Sequence, residues 1–455
     1  MFLPLKFSEL LNPSPDILIY SPDQSERLFY ILDFILGRVL RLSWAITDNK
    51  SDFLSHQGLK INYSDDVDLL PQMKPSGFLK ECGIRAFQPD LKMHEIEKEV
   101  AFFYTGKDSF FGFDLFAMSF FMLTRYEEYH AAAKTDRLGR FSSQESCIHR
   151  MISPEKPLVD IWIWKFRSRI GEHFPQIKIE RRAEFNFVST LDIDRVWAFA
   201  HRGVINLLGG IAKDAMTFNL LSMKDRVYAN FFPQKDPFFT FNYVSEIHEK
   251  YSLKPTYFIL AARKRTALDE NISLRHTAMK KCVKELSRHF EIGLHPSMRS
   301  HEDLSILQSE KSDLELLTAK KMISARYHYL KIDFPGSYRK LIAAGMLRDY
   351  SMGYHDHVGF RAGTAYVFQW FDLESNTITP LSVHPLTIMD MSLKKYHSAD
   401  VTTAYETANR LVNQVKKTGG QFQLLWHNSS FYHANGWEGW KELYESILAL
   451  SRSAL

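Results

Sequence analysis

Cysteine is scarce in this sequence of 455 residues. The three cysteines, Cys82, Cys147 and Cys282, are widely spaced, and the sequence contains no Cys-x-x-Cys pair. This spacing excludes a thiolate zinc site, because such sites use closely spaced pairs of cysteines. A disulfide framework is not expected either, and three reduced cysteines are typical of a protein in a reducing compartment.

Long apolar runs and an excess of charge are also missing. The most apolar segment, residues 115–123, is far shorter than the ~20 residues that a membrane-spanning helix needs. In residues 1–11 the apolar side chains are interrupted by Lys6, Ser8 and Glu9, so the apolar stretch is too short for the hydrophobic region of a secretory signal. We therefore expect a cytoplasmic protein with no membrane span. The 57 Lys and Arg residues nearly balance the 53 Asp and Glu residues, so nothing indicates nucleic-acid binding.

Aromatic residues, in contrast, are plentiful. The chain has 35 Phe, 20 Tyr and 8 Trp residues, and 45% of its residues are hydrophobic. Such a composition excludes a disordered or collagen-like chain and predicts a globular protein. The length predicts about two to three domains, or one barrel with an additional domain.

The first part of the chain predicts a small α/β domain, residues 1–110, of unknown role. A strand at 16–20 is followed by Ser21-Pro22-Asp23-Gln24, a capping box that predicts a helix running to about Leu40. A second strand is expected at 42–47. Residues 111–182 predict a helical connecting region, with a buried helix at 114–129 that begins at the N-cap Asp114 and another helix at 158–174.

Residues 183–455 alternate short apolar runs with longer amphipathic ones. This pattern predicts a parallel sheet, and the length suits a (β/α) barrel. The predicted strands are 185–191, 256–261, 291–294, 325–330, 347–350, 359–361, 385–391 and 421–426. The predicted helices are 241–251, 275–290, 302–322, 338–344 and 399–417.

Polar side chains follow several of these predicted strands. Asp192 and Asp194 end the first strand, His295 ends the third, and His427 ends the last. The carboxyl ends of parallel strands lie at one edge, so we expect these side chains to share a pocket. Residues i and i+2 of a strand point to the same side, which places both carboxylates there. With a Zn²⁺ ion on Asp194, Asp192 would be available as a general base.

At this point the segment 183–455 resembles the polysaccharide deacetylase family (NodB homology, carbohydrate esterase family 4). Ser189-Thr190-Leu191-Asp192-Ile193-Asp194 is similar to the first motif of the family, which implies that Asp192 is the catalytic base and Asp194 a metal ligand. His295 matches the first histidine of the motif H-[ST]-x-x-H. Arg299 occupies the position of the second histidine, and His301, two residues later, is a possible substitute as metal ligand.

Two further motifs carry the resemblance. Arg326 matches the arginine that orients the base, and His328 stands where the family has a proline. Leu424-Leu425-Trp426-His427 is similar to the last motif, whose histidine is the general acid. The resemblance thus implies a distorted barrel of the polysaccharide deacetylase type and a metal-dependent hydrolase that removes acetyl groups from an N- or O-acetylated carbohydrate. The stretches 113–117 and 125–129 also resemble bacterial proteins with an uncharacterised domain before such a barrel.

Several alternatives stay open from the sequence. The third metal ligand is not fixed, since His301, His328, His355 and His357 are all candidates. We expect His328, Arg361 and Trp426 to contact substrate, whereas the polar segment 353–361 that contains His355 and His357 is read as a solvated loop.

Two other functions are compatible with the residues. The Arg299 substitution motivates a glycan-binding protein without activity, in which aromatic side chains stack on sugar rings. The candidates for this stacking are Trp197, Trp370, Trp426 and Phe431. The same chemistry would also serve a hydrolase of another C–N bond, because a fold alone does not fix the substrate.

Overall fold

The computed structural model describes residues 14–87, 89–93, 100–129, 135–147, 149, 153–177, 184–396, 400–434 and 436–452. These residues form a mixed α/β structure. Its strands are β1 (Ile17–Tyr20), β2 (Trp44–Thr47), β3 (Leu59–Asn62), β4 (Lys92–Met93), β5 (Val100–Ala101), β6 (Phe185–Ile193), β7 (Thr256–Leu260), β8 (Glu291–His295), β9 (Ser324–Ala325), β10 (Arg348–Asp349), β11 (Phe368–Asp372), β12 (Thr377–Val383), β13 (Ile388–Met389) and β14 (Gly420–His427).

The helices alternate with these strands through most of the chain. They are α1 (Glu26–Leu32), α2 (Lys50–Ser55), α3 (Leu115–Leu123), α4 (Leu158–His173), α5 (Val204–Met216), α6 (Leu220–Phe231), α7 (Phe241–Lys250), α8 (Thr277–His289), α9 (Met298–Glu302), α10 (Leu304–Thr318), α11 (Gly336–Ala343), α12 (Val401–Thr418) and α13 (Trp440–Ala449). Among the described residues, no helix combines the length and the hydrophobicity that crossing a membrane requires.

A small parallel sheet with the order β2-β1-β3 lies near the start of the chain. It confirms the strands predicted at 16–20 and 42–47. The predicted start of the following helix is wrong. The N-cap is Ser25, whose hydroxyl accepts a hydrogen bond from the Leu28 N–H, whereas the Ser21 hydroxyl donates to the Asp23 carbonyl. A π-helical segment, Asp33–Val39, then extends α1 to the predicted end.

Helix α3 begins where the sequence predicts but ends earlier. The Asp114 carboxylate accepts a hydrogen bond from the Ala117 N–H, and all nine residues of the helix are buried. Arg125 takes a positive φ of 53°, which a continuing right-handed helix does not allow. The chain continues as a short 3₁₀ turn, Tyr126–Tyr129, so the predicted helix at 114–129 is correct only in its first part.

Helix α4 confirms the helix predicted at 158–174, and it joins the first part of the chain to the second. The Trp162 indole donates to the Val100 carbonyl. The Asp160 carboxyl group is bonded to the Thr364 hydroxyl and accepts from the Ala365 N–H. Apolar residues from both parts belong to one continuous core. The domain boundaries at residues 110 and 182 stay predictions.

The large sheet has nine strands in the order β11-β12-β10-β9-β8-β7-β6-β14-β13. All neighbours are parallel except β11 and β12, which pair antiparallel. Most predicted strands are present, but the strand predicted at 325–330 ends at Ala325, and 359–361 is not a strand. The sequence interpretation missed β11, β12 and helices α5, α6 and α13.

The predicted barrel needs a correction, because a closed barrel requires a ladder between its two edge strands. Within the described residues, no ladder pairs β11 with β13. Residues 384–387, between β12 and β13, instead bond to two strands inside the sheet. The His384 N–H donates to the Asp349 carbonyl of β10, and the Thr387 N–H donates to the Gln423 carbonyl of β14.

The strand register brings the predicted site residues to one edge of this sheet. Asp192 of β6 pairs with His427 of β14. On the other side of β6, strand β7 pairs with β8, where Leu260 is opposite His295. The pairing of β8 with β9 then places Arg326 just beyond the last paired residue.

Candidate metal centre and active site

Asp194, His295 and His328 converge at the carboxyl edge of the sheet. The Oδ1 atom of Asp194 lies 3.2 Å from Nε2 of His295 and 3.5 Å from Nε2 of His328. One ligand atom from each residue lies within 4.8 Å of the others. Within the described part of the chain, Oδ1 of Asp194 is buried without a hydrogen-bond partner. One carboxylate and two imidazoles form a donor set that suits Zn²⁺, so these residues fit a divalent metal.

Both imidazoles are oriented by a partner at Nδ1, the ring nitrogen opposite the one that faces Asp194. His295 Nδ1 is bonded to the carbonyl oxygen of Arg326, and because a carbonyl only accepts, this nitrogen carries the proton. His328 Nδ1 lies 3.3 Å from Oδ1 of Asp269. In both residues Nε2 is therefore available towards Asp194. Partners of this kind fix the tautomer and ring orientation of metal-binding histidines.

Asp269 is itself held in place and was not identified from the sequence. The Thr266 N–H and hydroxyl donate to its Oδ2 atom, and the Met298 N–H donates to Oδ1. Burial opposes ionisation, but these bonds and the one to His328 lower the pKa of Asp269 to about 2. It lies in a loop between β7 and α8, where no pattern in the sequence indicated it.

Asp192 lies beside this centre and is paired with Arg326. The guanidinium Nη1 atom donates to Oδ1 of Asp192 at 2.9 Å, and Nε donates to the Tyr350 carbonyl. Both side chains are buried. The second carboxylate oxygen of Asp192, Oδ2, lies 3.7 Å from Nε2 of His295. Asp192 thus presents one oxygen to the centre while the other is held by a buried cation.

His427 faces the centre from the strand on the other side of β6. Its Nε2 atom lies 3.7 Å from Oδ2 of Asp194, and its Nδ1 atom lies 2.8 Å from Oδ1 of Asp390. The His427 N–H also donates to Asp390. Burial disfavours the imidazolium, but the Asp390 carboxylate outweighs it and raises the pKa of His427 to about 10. Asp390 was missed from the sequence, because the predicted strand 385–391 contained it, whereas β13 ends directly before it.

The prediction that His301 binds the metal needs correction, because the structure places His301 outside the cluster. Its Nε2 atom lies 2.9 Å from the Ser337 hydroxyl, and burial lowers the pKa of His301 to about 3. Arg299, at the position of the missing family histidine, is exposed on the short helix α9. His328, which we expected to bind substrate, joins the cluster instead.

Arg361 and Trp426, predicted to contact substrate, also lie elsewhere. Arg361 forms a buried ion pair with Glu128 and donates from Nη1 to the Gly353 carbonyl, so all three guanidinium nitrogens have partners. Trp426 is completely buried with its ring centroid 5.0 Å from that of Tyr444. Neighbouring residues of a strand point to opposite faces, so Trp426 faces away from the side that carries His427.

The other aromatic residues proposed to stack on sugars are buried too. Trp197, Trp370 and Phe431 are at most 5% exposed. The segment 353–361 is not the expected solvated loop. Asp356 accepts hydrogen bonds from the Ser142 hydroxyl and the Ser143 N–H, and Nε2 of the buried His355 lies 3.5 Å from Asp136.

Comparison with known proteins gives one family match. Residues 17–175 match the model of a family of unknown function, DUF7033. This match covers β1–β5 and α1–α4 and ends before β6. No curated protein matches the chain.

Several solved structures are similar to the chain at low identity. A polysaccharide deacetylase of Bacillus cereus is 13% identical, with 60% of this chain and 88% of that chain covered and a TM-score of 0.28. The PuuE allantoinase is 11% identical, with 60% and 85% covered and a TM-score of 0.38. A pseudoenzyme of carbohydrate esterase family 4 from Bacillus anthracis is 11% identical, with 59% and 61% covered and a TM-score of 0.29.

Proposed function

We propose that this chain is a metal-dependent hydrolase that removes acetyl groups from an N- or O-acetylated carbohydrate. The observation that carries the proposal is the buried, unbonded Oδ1 atom of Asp194, which faces the Nε2 atoms of His295 and His328. Asp192 and His427 lie beside this group, with Oδ2 of Asp192 3.7 Å from Nε2 of His295 and Nε2 of His427 3.7 Å from Oδ2 of Asp194.

Asp194, His295 and His328 are the residues that would hold a divalent metal, and the donor set favours Zn²⁺. When bound, such an ion polarises a carbonyl group and lowers the pKa of water. Arg299 replaces the second histidine of the family motif, which leaves one metal ligand missing. His328 supplies an imidazole in its place.

The remaining residues divide the proton transfers between them. Asp192 accepts a proton from the attacking water, while Arg326 keeps its carboxylate in place through Oδ1. The water oxygen adds to the acetyl carbon, and the bond to the sugar nitrogen or oxygen then breaks. His427 gives the Nε2 proton to the leaving group, and Asp390 holds the imidazole by Nδ1.

The carbohydrate substrate is supported by the order of the motifs, Asp192-x-Asp194, His295, Arg326 and His427, which resembles that of polysaccharide deacetylases. The same set would serve hydrolysis of another C–N bond, so the test must distinguish acetate from other products. The structure does not favour the glycan-binding alternative, because the aromatic side chains proposed to stack on sugar rings are buried.

The first experiment is elemental analysis of protein purified without chelators or a histidine tag. We expect near-stoichiometric metal in the native chain, lost in Asp194→Ala and in His295→Ala. Acetate and ammonia release are then measured on N-acetylated and O-acetylated oligosaccharides and on small amides. Metal with acetate release supports the proposal, and metal with release of ammonia alone indicates the other C–N hydrolase. A native chain without metal that takes up no added Zn²⁺ contradicts metal-dependent hydrolysis.

A further inference from the structure

Helices α5 and α6 form a hairpin that leaves the sheet beside the candidate metal centre. The chain enters it ten positions after Asp194. Its two ends are fastened together at the base, where Asp236 accepts hydrogen bonds from the N–H groups of residues 198–200 and the Trp197 indole donates to the Pro233 carbonyl. We call residues 204–231 the α5–α6 hairpin.

Apolar side chains on the α5–α6 hairpin face solvent instead of the core. Only Asp214 in α5 and Ala229 in α6 are buried. Large apolar residues are exposed along both helices and at the tip between them. The most exposed include Ile205, Leu208, Met216, Phe218, Leu220 and Phe231. A chain that exposes so much contiguous apolar sequence has a contact partner for it.

Phe218 at the tip gives the clearest sign of an external partner. It follows the last residues of α5 with a positive φ of 54°, at a position where helices usually have glycine. Its side chain is 88% exposed and, within the described residues, makes no ring contact. A side chain at this position therefore costs backbone strain that glycine would avoid, while the ring itself is left almost fully exposed.

The charges of the α5–α6 hairpin identify the kind of partner. Its two carboxylates are already engaged, since Asp214 pairs with Arg226 at 2.8 Å and Asp225 accepts from the Tyr432 hydroxyl. Lys213 and Lys224 are exposed, and neither forms an ion pair within the described part of the chain. The hairpin thus combines exposed apolar side chains with unpaired cations.

A second copy of the chain fits this surface poorly, because a two-fold contact would place this patch, with its unpaired lysines and engaged carboxylates, against itself. An anionic lipid surface matches both properties, since apolar side chains enter the headgroup region and lysines bind the lipid charges. With 13 and 12 residues, α5 and α6 are too short to span a bilayer, which needs ~20. We propose that the α5–α6 hairpin docks the protein on an anionic membrane surface, with its helices lying in the interface.

The test is sedimentation of the full chain with lipid vesicles. We expect binding to vesicles of equimolar phosphatidylglycerol and phosphatidylcholine, and much weaker binding to phosphatidylcholine alone. Phe218→Gly should weaken binding several-fold while the melting temperature stays equal or rises, because glycine suits the positive φ. Leu316→Ala on α10 is the matched control, since Leu316 is 87% exposed outside the hairpin, and it should bind like the native chain.

The combined variant Lys213→Gln and Lys224→Gln should lower the affinity for the anionic vesicles about tenfold or more. Absence of binding to anionic vesicles, or unchanged binding of Phe218→Gly, would overturn the proposal. A dimer in light scattering that Phe218→Gly abolishes, without vesicle binding, would assign the surface to a second copy. Asp194→Ala should bind vesicles normally, so failure of the proposed hydrolase function leaves this test unaffected.

Discussion

Asp192 and Asp194 are separated by one residue, yet their carboxylates have different partners. Oδ1 of Asp192 accepts a hydrogen bond from Arg326 at 2.9 Å, whereas Oδ1 of Asp194 faces two imidazole nitrogens and has no hydrogen-bond partner among the described residues. Burial opposes ionisation of Asp194, but the neighbouring imidazoles hold its pKa well below the ordinary value. Two adjacent carboxylates can therefore serve different purposes at one strand end.

The identity of the third metal ligand can be tested by replacing each of two histidines with alanine. His328→Ala should lose the metal, because its Nε2 atom faces Asp194. His301→Ala is the matched control and should keep near-stoichiometric metal, because its Nε2 atom is bonded to Ser337. Elemental analysis of both purified variants measures this. Metal lost only from His301→Ala would reverse our assignment.

Asp192→Asn should abolish most of the activity without loss of metal. Asparagine can still accept the hydrogen bond from Arg326, but its amide cannot take a proton from water. The value of kcat should fall about 10²- to 10⁴-fold, the usual contribution of a general base. Acetate release and metal content are measured on the same preparation. A fully active variant would show that Asp192 is not the base.

Asp269→Asn should weaken metal binding without removing a ligand. Asp269 orients His328 through Nδ1, and loss of such a partner typically costs about 10- to 100-fold in metal affinity. Titration against a competing chelator gives the affinity. Asp313→Asn is the control, because Asp313 on α10 pairs with Arg263, outside the cluster. Equal affinities of Asp269→Asn and the native chain would exclude the orienting role.

Asp160 should make stability depend on pH. Burial raises the pKa of its carboxyl group to about 8, against the opposing bonds from Ala365 and Thr364. The unfolded chain ionises this group near pH 3.8, whereas the folded chain keeps the proton up to about pH 8. The free energy of unfolding should therefore fall as the pH rises between about 4 and 8, by up to about 1.4 kcal/mol per pH unit.

Asp160→Asn removes this titration and keeps the shape of the side chain. Relative to the native chain, the variant should become more stable as the pH rises through that window. Urea unfolding of both proteins at about pH 5 and about pH 7.5 measures the difference. A difference in stability that does not change with pH would contradict the buried, protonated carboxyl group.

The local sequence was sufficient to predict the strands that carry the candidate site. The runs that became β6 and β14 are rich in apolar residues and carry Asp192 and His427 near their carboxyl ends, so both the strands and their functional ends could be read directly. Strands β11 and β12 were missed, because β12 mixes Thr, Ser and Pro380 with apolar residues and half of it is solvent-exposed. Helices α5 and α6 were also missed, and the Gly209-Gly210 pair inside α5 disfavours a helix prediction there.

The connection between β12 and β13 could not be read from the sequence either. It depends on residues 384–387, which bond to one strand and then to another far away in the sequence. Loop positions are equally difficult, since Asp356 fastens the 353–361 segment to Ser142 and Ser143 in a distant part of the chain.

The sequence by itself determined which residues end parallel strands, and so which of them meet at one edge: Asp192, Asp194, His295 and His427. Only the tertiary structure decided that His328 and not His301 completes the cluster. After Arg326 the chain turns through positive φ values at Tyr329 and Leu330, and Asp269 of another loop holds the His328 ring. The position of an imidazole depends on such contacts between distant segments, whereas strand ends follow from the local alternation of apolar and polar residues.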